Sequence, residues 1–153
     1  MKSRALIVIF GLSLSLNVSI SEAAVSCGIS STGLFFGSIN PLSVEYINST
    51  STINLSCAGG PVSYTVKLTS GYGTILQRLM KNGSNVLKYN LYTSNSYSTI
   101  LGDGTAGSET INGTSVTDSM DVFYIAYGRI SKTGLSSTVA GTYTDSISVT
   151  VVY

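Results

Sequence analysis

The 153-residue chain contains no histidine and no tryptophan, only two cysteines and two prolines, and only 10% of its residues are charged. Each scarcity removes a class of function. Without histidine, neither a Ser-His-Asp nor a Cys-His device can be assembled. Two cysteines and no histidine are too few donors for a structural zinc site. The glycine-rich stretches lack the lysine and the strand-to-helix setting of a phosphate-binding loop. Carboxylates remain, and Asp103, Asp118, Asp121 and Asp145 could pair as the acid and base of a glycosidase, which needs about 5 to 9 Å between them. Asp103 between Gly102 and Gly104, and Asp118 in a polar tract, read instead as turn residues. A lone Asp-Gly also lacks the ligand count of a calcium loop. The reading is a non-enzymatic chain with no cofactor and no metal.

What is present begins with an export signal over residues 1–23. Lys2 and Arg4 form a charged start, Ala5 to Leu16 an apolar core, and Ser21-Glu-Ala23 fits the small-x-small cleavage pattern. The apolar run is too short to span a bilayer. Cleavage after Ala23 gives a mature domain over 24–153 that begins at Ala24. An earlier site near Ser13 stays open, because Leu12, Leu14, Leu16, Val18 and Ile20 alternate with Ser13, Ser15, Asn17 and Ser19 in the manner of a strand. The later site has the better processing signal.

Without Lys2, Arg4 and Glu22, the mature chain carries six basic and six acidic residues. Such a neutral surface has no electrostatic footprint for nucleic acid or an anionic bilayer. It suits a packed extracellular assembly. The two cysteines, Cys27 and Cys57, are an even count in an exported chain and suggest one bridge, with two free buried thiols as the alternative.

Period-two alternation recurs along the chain. It predicts strands at Val25–Ser30, at Leu34–Pro41 as an edge turned out by proline, and at Ser51–Cys57 with Ile53, Leu55 and Cys57 inward. Further strands are expected at Val62–Leu68, around Leu87, Tyr89 and Leu91, at Tyr97–Leu101, and at Asp121–Ile130 as a strand buried on both faces. Ile75–Lys81 could make a helical turn, and 106–121 a surface loop or frayed strand. The last stretch, Gly141–Tyr153, alternates cleanly, with Ile147, Val149, Val151 and Tyr153 on one face. That strand wants neighbours on both sides, and one of them must come from far upstream or from another polypeptide. Seven or eight short strands about ten residues apart, with no convincing helix, predict an all-β sandwich of two antiparallel sheets.

Tyrosine is over-represented, at ten residues. Tyr64, Tyr89 and Tyr143 stand at core positions. Tyr72 and Tyr97 stand in turns, where an exposed ring packs locally or anchors a partner.

Several fragments together resemble the spore coat protein U domain family: Leu34-Phe-Phe-Gly-Ser-Ile-Asn-Pro41 after the first cysteine, Ile53-Asn-Leu-Ser-Cys57, Tyr64–Gly71, Gln77–Met80, Leu87–Tyr92, Leu101–Thr105, Tyr127-Gly-Arg-Ile130 and Gly141–Asp145 with Tyr153. No fragment is specific alone; their order over the mature chain is. The resemblance implies a pilus subunit of the archaic chaperone–usher pathway. Such a subunit is an immunoglobulin-like sandwich lacking its final strand, completed by a periplasmic chaperone and then by the N-terminal extension of the next subunit at an outer-membrane usher. It further implies that Cys27 and Cys57 form the family's bridge, and that Ile147, Val149, Val151 and Tyr153 border the open groove. Cleavage at Ala23 leaves three residues before Cys27, in place of the family's donor segment of about a dozen. A subunit of that kind accepts a strand but cannot donate one, as at a fibre tip bearing on a host or abiotic surface. A secreted spore or cell-surface coat protein that does not polymerise is the alternative.

Overall fold

The computed structural model describes residues 24–42, 45–115, 119–132, 135 and 138–153, with the side chain of Met120 left aside. The expected export signal and both candidate cleavage sites lie outside these residues.

Among the described residues nine strands run in the order β1 (Ser26–Ser31), β2 (Ile47–Ala58), β3 (Val62–Leu68), β4 (Tyr72–Thr74), β5 (Gln77–Asn82), β6 (Asn85–Tyr92), β7 (Ile111–Ser115), β8 (Ser119–Ile130) and β9 (Val149–Val152). They build two antiparallel sheets, one ordered β1-β2-β8-β6-β5-β4 and the other β7-β3-β9. The fold is an all-β, immunoglobulin-like sandwich. Its core is where the inward faces meet: Ile53 and Leu55 of β2, Val66 and Leu68 of β3, Leu87, Tyr89 and Leu91 of β6, and Ala126 and Ile130 of β8. These residues fall at period two in each strand, so one buried face per strand accounts for the pattern.

Cys27 and Cys57 sit directly opposite one another in the β1–β2 register and form a disulfide. Among the described residues no cysteine is free. The hairpin from β5 to β6 closes through Gly83-Ser84. Gly83 has a φ of 59°, a left-handed value that suits glycine at the first position of a two-residue turn.

Four expectations need correction. Residues 34–41 form no strand, because their backbone meets no ladder partner. The segment is tethered to β2 by side chains instead, Ser49 Oγ donating to Phe35 O at 2.6 Å and Ser51 Oγ to Thr32 O at 2.6 Å. The stretch after Ile75 is the strand β5, not a helical turn, and Arg78 within it is fully buried. Residues 97–101 make two isolated bridges, Ile100 to Tyr92 and Leu101 to Glu109, where a short strand was expected. Finally, β8 is covered on one face only: Ala126 and Ile130 are buried, while Phe123 and Ile125 lie outward and exposed. The polar tract before β8 contains a short strand, β7, paired to β3.

Candidate functional site: an open furrow between the sheets

Beyond β1 the chain runs on as Thr32–Ile39, and ahead of β9 it arrives as Tyr143–Ser148. These two segments face one another across a furrow. Two cavities, of about 480 and 620 Å³, share Leu34, Phe35, Phe36, Met80 and Tyr143 in their walls and so lie side by side along it. Its floor is the core itself, with Ile53, Leu68, Leu91 and Ala126 at one end and Leu87 and Leu135 at the other. Its lips carry Phe35, 81% exposed, and Val139, 54% exposed.

The second bank passes from one sheet to the other. Thr144 bridges Lys81 of β5 by a reciprocal pair of backbone hydrogen bonds, and Val149–Val152 then pairs with β3 in the smaller sheet. Between them, Ser148 O accepts from Thr69 N, and Ser148 N donates to Thr69 Oγ1. Asp145 clamps the bank from beneath. Its Oδ1 accepts from Tyr72 N at 2.9 Å and Ser146 N at 2.7 Å, and its Oδ2 accepts from the Tyr89 hydroxyl at 2.6 Å. Burial, reinforced by the neighbouring Asp145 carboxylate, pushes the Tyr89 phenol well above its ordinary range. The Phe36 ring meets Tyr89 edge-on from the other bank, with centroids 6.1 Å apart.

Close by, the buried Arg78 guanidinium donates twice to Thr69 O and once to Asn90 Oδ1, and Asn90 in turn donates to Ile75 O and Leu76 O. Desolvation lowers the Arg78 pKa. Satisfied in this way, the arginine holds the short β4–β5 hairpin onto the core. Sequence reasoning missed Arg78 and Asn90, since charged and amide side chains carry no inward signal of their own.

β9 has β3 on one side and no described strand on the other. β1 lies within 8 Å of it at Cα but does not pair with it. Of the residues read from the sequence as bordering a groove, Ile147 and Val149 line the furrow and pack on the core. Val151 stands opposite Val66 and also packs inward, but away from the opening. Tyr153 follows the strand and is half exposed. The first bank, Leu34 to Ile39, was read as an ordinary edge.

Of the carboxylates read as candidates, Asp118 lies outside the described residues. Asp103 Oδ1 accepts from the Thr105 hydroxyl at 2.6 Å and the Thr105 amide at 2.9 Å, a turn contact that draws its pKa down. Among the described residues no group of three His, Cys, Asp or Glu is placed to hold a metal. What the furrow can do is accept apolar side chains between two backbone edges.

Comparison with curated proteins finds no match. Among solved structures, the chaperone–tip adhesion subunit pre-assembly complex CsuC–CsuE, from the archaic chaperone-usher Csu pili of Acinetobacter baumannii, is similar in fold. The TM-score is 0.59 at 21% identity, over 85% of this chain and 40% of that one. This chain therefore matches less than half the length of that structure's chain. The Spore Coat Protein U domain matches residues 12–150, which covers β1 to β8, both banks and the first half of β9, and begins twelve residues before Ala24. With its sandwich, its β1–β2 disulfide and the match over nearly its whole length, the chain belongs to the Spore Coat Protein U domain family.

Proposed function

We propose that this protein is a non-enzymatic pilus subunit, exported through the periplasm to the cell surface, whose furrow takes up a strand from another polypeptide. The observation that carries this reading is the apolar-floored furrow beside the unpaired edge of β9. In an immunoglobulin-like sandwich the smaller sheet runs C-F-G. Here β3 and β9 stand as C and F, and the G position is empty of described strand. An inserted strand would hydrogen-bond to a bank and drop alternate side chains onto the core, the physics of strand addition. Four or five such side chains at about 1.5 to 3 kcal/mol each recover on the order of 10 kcal/mol. That is comparable to the whole stability of a domain, about 5 to 15 kcal/mol.

The family membership and the likeness to a chaperone-bound pilus subunit support a periplasmic chaperone, an usher and neighbouring subunits as partners. Ile147 and Val149 act as the bank of the groove, with Val151 behind them and Tyr153 at its exit. A mature chain starting at Ala24 accepts a strand without donating one, which fits a tip; a start near Ser13 retains Leu12–Ile20 or most of it as a donor. N-terminal sequencing of the exported protein separates the two.

The test of the furrow is direct. The mature chain alone should aggregate or melt early, and a peptide of alternating apolar residues should raise its Tm and suppress aggregation. A monomer with a sharp, reversible melt that such peptides leave unmoved overturns strand uptake and favours the secreted coat protein.

A further inference from the structure

On the outer face of the larger sheet, away from the furrow, the Arg129 guanidinium lies over two tyrosine rings, Tyr97 at 3.3 Å and Tyr46 at 4.3 Å from Cζ to centroid. Its Nε donates to Asn48 Oδ1 at 2.8 Å, from the residue directly opposite in the β2–β8 register. Stacking and this hydrogen bond fix the side chain, yet its two terminal nitrogens have no acceptor among the described residues. A guanidinium held this way presents a rigid two-pronged donor to solvent, shaped for a carboxylate.

The surroundings are built to keep it there. Tyr97 adopts φ of 54°, a left-handed conformation that a tyrosine adopts at a cost, and its ring is braced by edge contacts with Tyr92 and Tyr127 at 5.5 and 6.4 Å. Lys132 adds a second positive charge, its Nζ 4.0 Å from the Tyr46 ring centre. Beside this aromatic column, the outward side chains of β2 are amides and hydroxyls: Asn48 opposite Arg129, Thr50 opposite Tyr127, Thr52 opposite Ile125. Ser94, Ser96 and Ser98 add a chain of linked hydroxyls on the neighbouring loop.

We propose that this face binds a carboxylate-bearing saccharide, such as a uronic acid unit of an acidic polysaccharide. The Arg129 fork takes the carboxylate, and the neighbouring hydroxyl and amide column takes the ring hydroxyls. Charge complementarity and the adjoining polar column select this occupant over an apolar one. The site lies on a different face from the furrow and does not depend on strand uptake.

The experiment measures binding of oligogalacturonate, with a neutral galactan oligomer and acetate as controls, to the full chain in the form recovered from cells. Oligogalacturonate should bind, the neutral oligomer and acetate far more weakly, and Arg129→Gln should lose at least tenfold in affinity. Arg129→Lys, which keeps the charge but not the fork, should lose most of it too. Asn48→Ala, which frees the side chain without touching the charge, should weaken binding several-fold, and it carries the test if the Arg129 variants fail to accumulate. Equal binding of acidic and neutral oligomers, or unchanged binding in these variants, overturns the proposal. So does concentration-dependent self-association that Arg129→Gln abolishes, which would make the face a contact between copies.

Discussion

The hydroxyl of Tyr89 donates to Asp145 Oδ2 at 2.6 Å, joining the middle of β6 to the bank that leads into β9. The same carboxylate holds Tyr72 N and Ser146 N. One aspartate therefore sets where the wall of the furrow stands relative to its floor.

Asp145→Ala should remove three hydrogen bonds to one charged group and leave the hydroxyl of the buried Tyr89 without an acceptor. Hydrogen bonds to charged groups contribute about 1.5 to 3 kcal/mol each, and they are not additive, so a loss of about 3 kcal/mol is expected. Urea unfolding reads the change, and faster amide exchange at Ser146 and Tyr72 would show that it is local to the bank.

Alkali should unfold the protein through its buried phenols. Burial raises the Tyr89 pKa, and burial with the hydrogen bond to Tyr64 pushes Tyr124 up to about 12. Both phenols hold their protons in the folded state to a higher pH than in the unfolded state, where tyrosine titrates near its ordinary value of about 10. The unfolded chain therefore binds fewer protons above that pH, and stability falls as pH rises. Stability should be level with respect to these groups below pH about 10 and decline above it. A Tyr89→Phe, Tyr124→Phe double variant should flatten that decline, read as urea midpoints across the range.

Breaking the Cys27–Cys57 disulfide opens a loop of 30 residues. The chain-entropy account gives a loss of about 3.5 kcal/mol. Cys57→Ser, or reductant, should lower the urea midpoint accordingly and reduce yield in the periplasm. Two free thiols in the non-reduced mature protein would contradict the bridge.

Gly128, near the end of β8, is a glycine because the first bank leans on it. A Cβ built there would come within 2.7 Å of Leu34 Cδ1 and 3.1 Å of Phe36 Cζ. Gly128→Val should push these side chains toward the furrow, weaken uptake of a donor peptide at least tenfold, and perturb the melt of the unliganded chain far less.

The elements legible in the sequence were those whose alternation reports burial honestly. Val62–Leu68 and the run through Ile147, Val149 and Val151 have their apolar residues inward, and the cysteines fall on facing strands. Where the reading failed, hydrophobicity and burial part company. Arg78 is buried because Thr69 O and Asn90 satisfy it, so β5 shows no clean alternation. Phe123 and Ile125 made β8 look covered on both faces although they stand outward. Ile111-Asn-Gly-Thr-Ser115 has one apolar residue and is a strand only because β3 offers it an edge. Leu34–Ile39 has strand-like residues and no partner to pair with. The Arg129 cluster joins positions 46, 48, 97 and 129, a proximity that only the folded sheets create.

The disulfide has a mechanical meaning as well. β1 is the outermost strand of its sheet, held otherwise by the β2 ladder alone, and such a strand unzips one hydrogen bond at a time when its end is pulled. Tension applied to the chain ahead of Cys27 enters β2 through a covalent link at the second residue of β1. From there it spreads over the twelve-residue register between β2 and β8, which must slide as a block before it yields. Pulled at that end, the domain is expected to resist in shear and not by peeling.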